Sequence, residues 1–259
     1  MRNLNFAFDR IDMALKALCF QLVYQNKKSV AFLGFPFLIF LFLFNLLVAE
    51  GKVDFPKPVS LGDDQFDFGG ILIDRRKAKI SFDAVCNQTS GLVEYALVHK
   101  NGKVHESLFR TEMSPRWIHA CLVLIKARPF DLESLHGKKH LLASQDLAEH
   151  EVRAYVSWES NASSSLVPIH SFVYNQISDR NLDERPFVFT GSKTLEGVYL
   201  ADVDGSILAI FNDIRSTINS FDKDSNSDDS WVALTDALPP LETKVRFHLQ
   251  VPSKVVSEK

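Results

Sequence analysis

The chain has 259 residues, of which 46% are hydrophobic and 24% charged, proportions that exclude a disordered chain and are typical of globular proteins. Residues 50–259 hold 24 basic and 30 acidic side chains, a formal charge of −6. Because such a charge repels phosphate backbones, we expect no nucleic acid partner.

The first predicted element is an uncharged segment rich in Phe and Leu, residues 30–49. At about 1.5 Å of rise per residue, a helix of this length spans roughly 30 Å, the thickness of a bilayer's hydrocarbon core. Lys27 and Lys28 precede the segment and Glu50 follows it. The positive-inside rule therefore places residues 1–29 in the cytoplasm and the rest of the chain on the other side of the membrane.

Residues 30–49 are accordingly expected to contact a membrane, as a signal anchor or as the hydrophobic segment of a signal peptide. Ala49 could precede a cleavage site, although Leu47 is larger than a signal peptidase prefers. Both alternatives stay open. The localisation expected is membrane-anchored and facing the periplasm or cell exterior, or secreted if the segment is cleaved.

Residues 50–67 carry Pro56, Pro58 and Gly62, and this composition predicts a linker. An exported domain is expected over residues 68–252, followed by a tail, residues 253–259. Short β-branched or aromatic runs predict strands over 71–73, 78–85, 92–99 and 103–109. Asn101-Gly102, between the third and fourth runs, predicts a tight hairpin.

A helix is predicted next, because Ser114-Pro115 supplies an N-cap and a first-turn proline and apolar residues then recur at helical spacing up to Ile125. Further strands are predicted over 151–158, 167–174, 187–189 and 244–251. A second hairpin is expected around residues 202–205. The order of elements indicates an α+β fold, a mainly antiparallel sheet with one or two packed helices.

Several stretches resemble one family in their residues and their order. They are Gly91 to Val98, Gly102 to Leu108, His119 to Leu124, Phe189 to Ser192, Ala201-Asp202 with Gly205 to Ile207, and Asp236 to Pro240. Together they resemble the YdjY-like domain of exported, uncharacterised bacterial proteins, over about residues 68–252. The resemblance implies an exported domain of this extent and carries no settled activity.

His105, Glu106 and His119 are the candidate binding residues, because two imidazoles and a carboxylate could hold a divalent metal. Strand alternation complicates this site, since His105 and Glu106 would point to opposite faces. The alternative is a buried polar network in which these side chains satisfy backbone groups.

Two cysteines, Cys86 and Cys121, fall on the exported side, where they could form a disulfide. They could equally be two small buried hydrophobic residues. Residues 222–229 contain four Asp residues and resemble a calcium loop, but Ser227 and Ala233 stand where an EF-hand has glycine and glutamate.

The function expected is a binding or interaction module at the cell envelope, with an envelope protein or a small ligand as partner. The alternative is a metal-dependent, hydrolase-like enzyme using His105, Glu106 and His119. A binding module should keep its fold without metal, whereas a metal site should bind stoichiometric metal and lose it when a ligand is substituted.

Overall fold

The computed structural model describes residues 55–131, 147–159 and 166–252. The predicted membrane segment 30–49, the preceding residues 1–29 and the tail 253–259 lie outside these ranges. Within the described ranges, no helix combines the length and the apolar character needed to cross a membrane.

Most of the described secondary structure is β-strand, and twelve of these strands form one mixed sheet. The strands of this main sheet are β1 Val59–Gly62, β2 Gln65–Phe68, β3 Ile71–Asp74, β4 Lys79–Cys86, β5 Tyr95–His99, β6 Ser107–Thr111, β7 Arg153–Ser157, β8 Val167–Pro168, β11 Phe187–Phe189, β14 Ser206–Ala209, β15 Ile218–Ser220 and β17 Lys244–Gln250.

Two smaller sheets accompany it. The first contains β9 Val173–Asn175, β10 Arg180–Asn181 and β16 Trp231–Ala233, and the second is a hairpin of β12 Thr194–Leu195 and β13 Val198–Tyr199. The α-helices in the described ranges are α1 Pro115–Leu124 and α2 Leu200–Asp204. The sheet begins at Val59, so β1 and β2 occupy part of the stretch predicted as a linker.

Strand β4 is the centre of the main sheet. One of its edges pairs with β17 from Lys79 to Val85, while its other edge pairs first with β3 and then with β6. Ile80, Phe82 and Ala84 alternate along β4 and are buried, because successive side chains of a strand point to opposite faces. The run of β-branched and aromatic residues that predicted a strand over 78–85 therefore corresponds to β4.

The aromatic core lies against this central pair of strands. Phe82 stacks on Phe247 of β17 with ring centroids 5.8 Å apart. Phe109 of β6 meets Phe247 edge-on at 6.0 Å and Phe172 at 5.8 Å. All four rings are fully buried, so removing any one of them would leave a cavity costing about 3–5 kcal/mol.

The predicted Asn101-Gly102 hairpin is wrong, because β5 and β6 pair in parallel. The chain returns from His99 to Ser107 through a short 3-10 turn, Val104–Glu106. A second parallel ladder joins β14 and β15, while the other ladders are antiparallel. The sheet is therefore mixed rather than purely antiparallel.

Helix α1 confirms the predicted helix, but its N-terminus is capped differently from the prediction. The Ser114 side chain makes no capping hydrogen bond to the helix backbone. Instead Asp202 of α2 accepts hydrogen bonds from the Arg116 amide at 3.0 Å and from the Ser114 hydroxyl at 3.2 Å. Helix α2 replaces the second predicted hairpin and ends at Gly205, whose φ is 71°.

Candidate functional site

A pocket of about 450 Å³ lies where the exposed side of α1 meets the loop after β11 and the β12–β13 hairpin. Its volume falls in the range of small-molecule sites in proteins. It is lined by Phe55, Arg116, His119, Pro129, Thr190, Gly191, Ser192, Thr194, Gly197 and Tyr199.

His119 of α1 is the central polar side chain of this pocket. Its Nδ1 lies 3.1 Å from the Gly191 carbonyl oxygen and 3.1 Å from the Tyr199 hydroxyl. Because a carbonyl can only accept, this contact assigns the proton to Nδ1 in the neutral ring. Burial lowers the pKa of His119, so the ring is neutral at pH 7.

The other nitrogen of His119, Nε2, therefore carries a lone pair. In the described part of the chain Nε2 has no hydrogen-bond partner. The ring is held edge-on between Phe189 and Tyr199, at centroid distances of 5.0 and 5.6 Å. His119 is thus a fixed hydrogen-bond acceptor that is ready for a donor.

The loop that holds this imidazole has an unusual backbone. Gly191 and Ser192 both have positive φ, 80° and 56°. The Ser192 hydroxyl donates to the Arg215 carbonyl at 2.6 Å and accepts from the Ala201 amide at 3.1 Å, which holds the strained residue. A Cβ on Gly191 would come within 3.2 Å of His119 Cε1, so glycine lets the loop approach the ring closely.

Arg116 lies one helical turn before His119 on the same face of α1. Its Nε donates to Asp202 Oδ2 at 2.8 Å, and its guanidinium lies over the Tyr199 ring, 5.5 Å from the ring centroid. Among the described residues, the terminal nitrogens of Arg116 have no hydrogen-bond partner. The Arg116 side chain lines the pocket and keeps 22% of its surface exposed, so these donors are available to a ligand.

The hydroxyl groups of Tyr199 and Ser192 are poorly suited to act as nucleophiles. Burial raises the pKa of Tyr199, and its hydroxyl lies 3.1 Å from Thr217 Oγ1, so it stays protonated. The Ser192 hydroxyl donates its hydrogen bond to the Arg215 backbone carbonyl. The arrangement offers donors and acceptors for a ligand rather than an activated attacking group.

His105 and Glu106 lie elsewhere, on the 3-10 turn before β6 and not on a strand. Their side chains pair with each other, His105 Nε2 to Glu106 Oε1 at 3.1 Å, and the His105 side chain is 74% exposed. No group of three His, Cys, Asp or Glu side chains in the described ranges is arranged to hold a metal ion. The predicted three-ligand set is therefore not assembled, and His119 alone of the three belongs to the pocket.

The two cysteines on the domain, Cys86 and Cys121, are both free and buried. The Cys86 thiol donates to the Pro239 carbonyl at 3.2 Å. Burial raises the pKa of Cys86 to about 11 and that of Cys121 to about 12. Both behave as small hydrophobic residues, the alternative that the sequence left open.

The Asp-rich loop is held by an arginine. Arg180 donates to Asp222, which is buried, and to Asp224 at 2.9 Å. The backbone amides of Asp183 and Asp224 donate to Asp222 at 3.0 and 2.9 Å. The carboxylate oxygens of Asp222 and Asp224 are thus satisfied by protein donors, which accounts for these two acids without invoking a calcium ligand role.

A larger groove of about 790 Å³ crosses the outer face of β4, β6 and β17. Its charges are mostly paired with one another: Arg246 with Asp83 at 2.7 Å and Lys100 with Glu112 at 2.9 Å. The His119 pocket differs from this groove in its held imidazole, whose Nε2 has no hydrogen-bond partner among the described residues, and we regard it as the candidate site.

Sequence reasoning identified His119 but missed Arg116 and Tyr199. The i, i+3 spacing of Arg116 and His119 in a helix that begins at Pro115 was the available signal. Tyr199 is 80 residues from His119 in the chain, and no local pattern connects them.

The comparison with protein families gives a match that covers most of the described sheet. The YdjY domain model matches residues 71–250, well over half of the chain. No curated protein and no solved structure matches the chain. The chain therefore belongs to the YdjY domain family.

Proposed function

We propose that this domain is a binding module, and that its ligand occupies the His119 pocket. The observation that carries the proposal is the pairing of a fixed acceptor, His119 Nε2, with the uncommitted terminal nitrogens of Arg116 in one cavity. Pockets that fix a ligand's orientation with a few placed polar groups have this composition.

Binding is favoured over catalysis because the Ser192 hydroxyl donates to a backbone carbonyl and the Tyr199 hydroxyl stays protonated. The module is proposed to act at the cell envelope, on the non-cytoplasmic side. This location is supported by the uncharged segment 30–49 and by the lysines that precede it.

The pocket assignment is tested by a thermal-shift screen of the full chain in mild detergent against small acids, amides and short peptides. A ligand at about 100 times its Kd stabilises a protein by about 2.7 kcal/mol, which raises Tm measurably. We expect compounds that raise the Tm of the natural chain and not that of His119→Ala.

His170→Ala is the matched control, because His170 is also a half-buried histidine and lies outside the pocket. It should respond to the same compounds as the natural chain. Equal responses in all three proteins, or no response in any, would refute the assignment of the site.

The acceptor role of His119 has its own spectroscopic test. In the neutral protein, ¹⁵N spectra of the His119 ring should show a protonated Nδ1 and an unprotonated Nε2. The opposite tautomer would mean that Nδ1 does not donate to Gly191, and the proposed acceptor would be lost.

A further inference from the structure

We propose that the ligand class of this pocket is the free carboxyl end of a peptide, with its carboxylate on Arg116 and its last amide N–H on His119 Nε2. This inference rests on the proposed function and names the ligand of the same site.

The uncommitted donors of Arg116 favour an anionic acceptor of low charge. Among the described residues that line it, Arg116 is the cationic side chain, and none is a carboxylate. Asp202 lies just behind, bonded to Arg116 Nε. The two terminal nitrogens of Arg116 can donate two parallel hydrogen bonds to one carboxylate. A phosphate dianion carries one more negative charge and would be repelled more strongly by Asp202, with only one arginine to offset the repulsion.

The imidazole adds a second requirement, a donor next to that carboxylate. His119 Nε2 is an acceptor, so a carboxylate oxygen placed against it would bring two lone pairs together. An amide N–H satisfies it. A simple fatty acid has no such donor and leaves Nε2 unpaired, which costs affinity.

The two groups lie one helical turn apart on α1 and line the same pocket, so a single terminal residue can be placed between them. Arg116 and His119 are neighbours on α1, about 5–6 Å apart at Cβ. A C-terminal residue carries its N–H and its carboxylate on the same Cα atom. Its side chain would contact Phe55 and Pro129, the apolar part of the lining.

The test is fluorescence anisotropy with the full chain in mild detergent and a random-sequence pentapeptide pool labelled at its N-terminus. Three pools are compared: one with a free carboxyl terminus, one with a terminal amide, and one with a free carboxyl terminus and an N-methylated last amide. We expect the second and third pools to bind at least about tenfold more weakly, the loss of one charge-assisted or one ordinary hydrogen bond.

Arg116→Met should abolish the preference for the free carboxyl pool. Arg128→Met is the matched control, because Arg128 is an exposed arginine outside the lining, paired with Glu149. The comparison among the three pools uses only the natural chain, so a folding defect in a variant cannot mimic the result.

Equal binding of the three pools would overturn the ligand class. Stronger binding of phenyl phosphate or of lauric acid, competing at the same site, would also overturn it. If the peptides fail but the thermal-shift screen still finds compounds that depend on His119, the ligand class falls and the proposed binding function stands.

Discussion

Burial sets the charge state of the His248 side chain on β17. The residue is 8% exposed, its Nε2 lies 2.9 Å from Ser157 Oγ, and its Nδ1 has no hydrogen-bond partner in the described structure. Burial first, and then the charges of Lys79 and Arg246, lower the pKa of His248 to about 4. The native state therefore strongly prefers the neutral ring.

This preference predicts a loss of stability in mild acid. The pKa of His248 falls from 6.5 in the unfolded chain to about 4 on folding, so between these values the unfolded state binds more protons. The free energy of unfolding should therefore decrease as pH falls from 6.5 to 4, with about 2 kcal/mol coming from His248.

Urea unfolding at pH 7 and at pH 4.5 measures this decrease. His248→Gln, which can still bond Ser157, should show a smaller decrease than the natural chain. His105→Gln replaces an exposed imidazole and should leave the decrease unchanged. An identical pH dependence in His248→Gln and the natural chain would contradict the assignment.

The free cysteines give a second prediction at this scale. Cys86 and Cys121 should each take up one iodoacetamide when the protein is denatured without reductant, because neither is in a disulfide. In the native protein both should react slowly, since burial raises their thiol pKa. Peptide mass mapping locates the label, and protection of both residues in the denatured chain would mean that they are bridged.

At the level of residues, the sequence predicted the identity of His119 better than its surroundings. Helical periodicity places a residue on a helix, but it does not say which distant loop packs there. Gly191 and Tyr199 reach His119 across 72 and 80 residues of chain. The metal hypothesis met the same difficulty, because His105 and Glu106 were predicted on a strand and instead lie on a 3-10 turn away from His119.

Among the elements, the connection from β5 to β6 shows how a correct local signal can mislead. Asn-Gly usually marks a tight turn because glycine tolerates positive φ. Gly102 is not among the residues with positive φ. Instead, a Cβ on Gly102 would lie 2.6 Å from the Asp204 carbonyl oxygen and 2.9 Å from the Gly205 Cα. Glycine is needed there because two backbones touch.

Gly102→Ala should therefore destabilise the domain by about 1–3 kcal/mol, the usual cost of forcing extra atoms into a packed site. Asn101→Ala should change stability by less than about 0.5 kcal/mol, since Asn101 is exposed and the turn from His99 to Gly102 that contains it does not close a hairpin. Thermal unfolding of both variants measures the difference. A larger loss in Asn101→Ala than in Gly102→Ala would restore the hairpin interpretation.

Element prediction was most successful where a strand or helix buries one face. The apolar and β-branched runs of β4 and β17 and the apolar spacing in α1 reflect burial of one face against a core. Strand partners were harder to predict, because β5 and β6 could pair in either direction without changing their own patterns. The connection between them packs at Gly102 against the end of α2, a contact that is distant in sequence.

For the whole molecule, the strongest prediction concerns residues 30–49, which lie outside the described ranges. Replacing Leu41 and Leu43 by arginine should prevent membrane engagement, because each arginine at the centre of such a segment costs about 2.5–3.5 kcal/mol. The natural chain should fractionate with membranes, or be exported and shortened at its N-terminus.

Cell fractionation with N-terminal sequencing distinguishes these outcomes. The doubly substituted chain should stay in the cytosolic fraction with its N-terminus intact. Leu41→Ile with Leu43→Ile is the matched control and should behave as the natural chain does. Continued export of the arginine variant would show that residues 30–49 do not direct the protein.

The pairing of β4 with β17 has a consequence for the order of synthesis. Lys79 pairs with Gln250 of β17, so the centre of the sheet is completed by a strand that follows all the other described strands in the sequence. Until then β4 has a bare edge, which invites pairing with other chains. A truncation that removed only β17 would thus take away the middle of the sheet rather than its margin, and the nascent domain has to wait for its last strand before it can close.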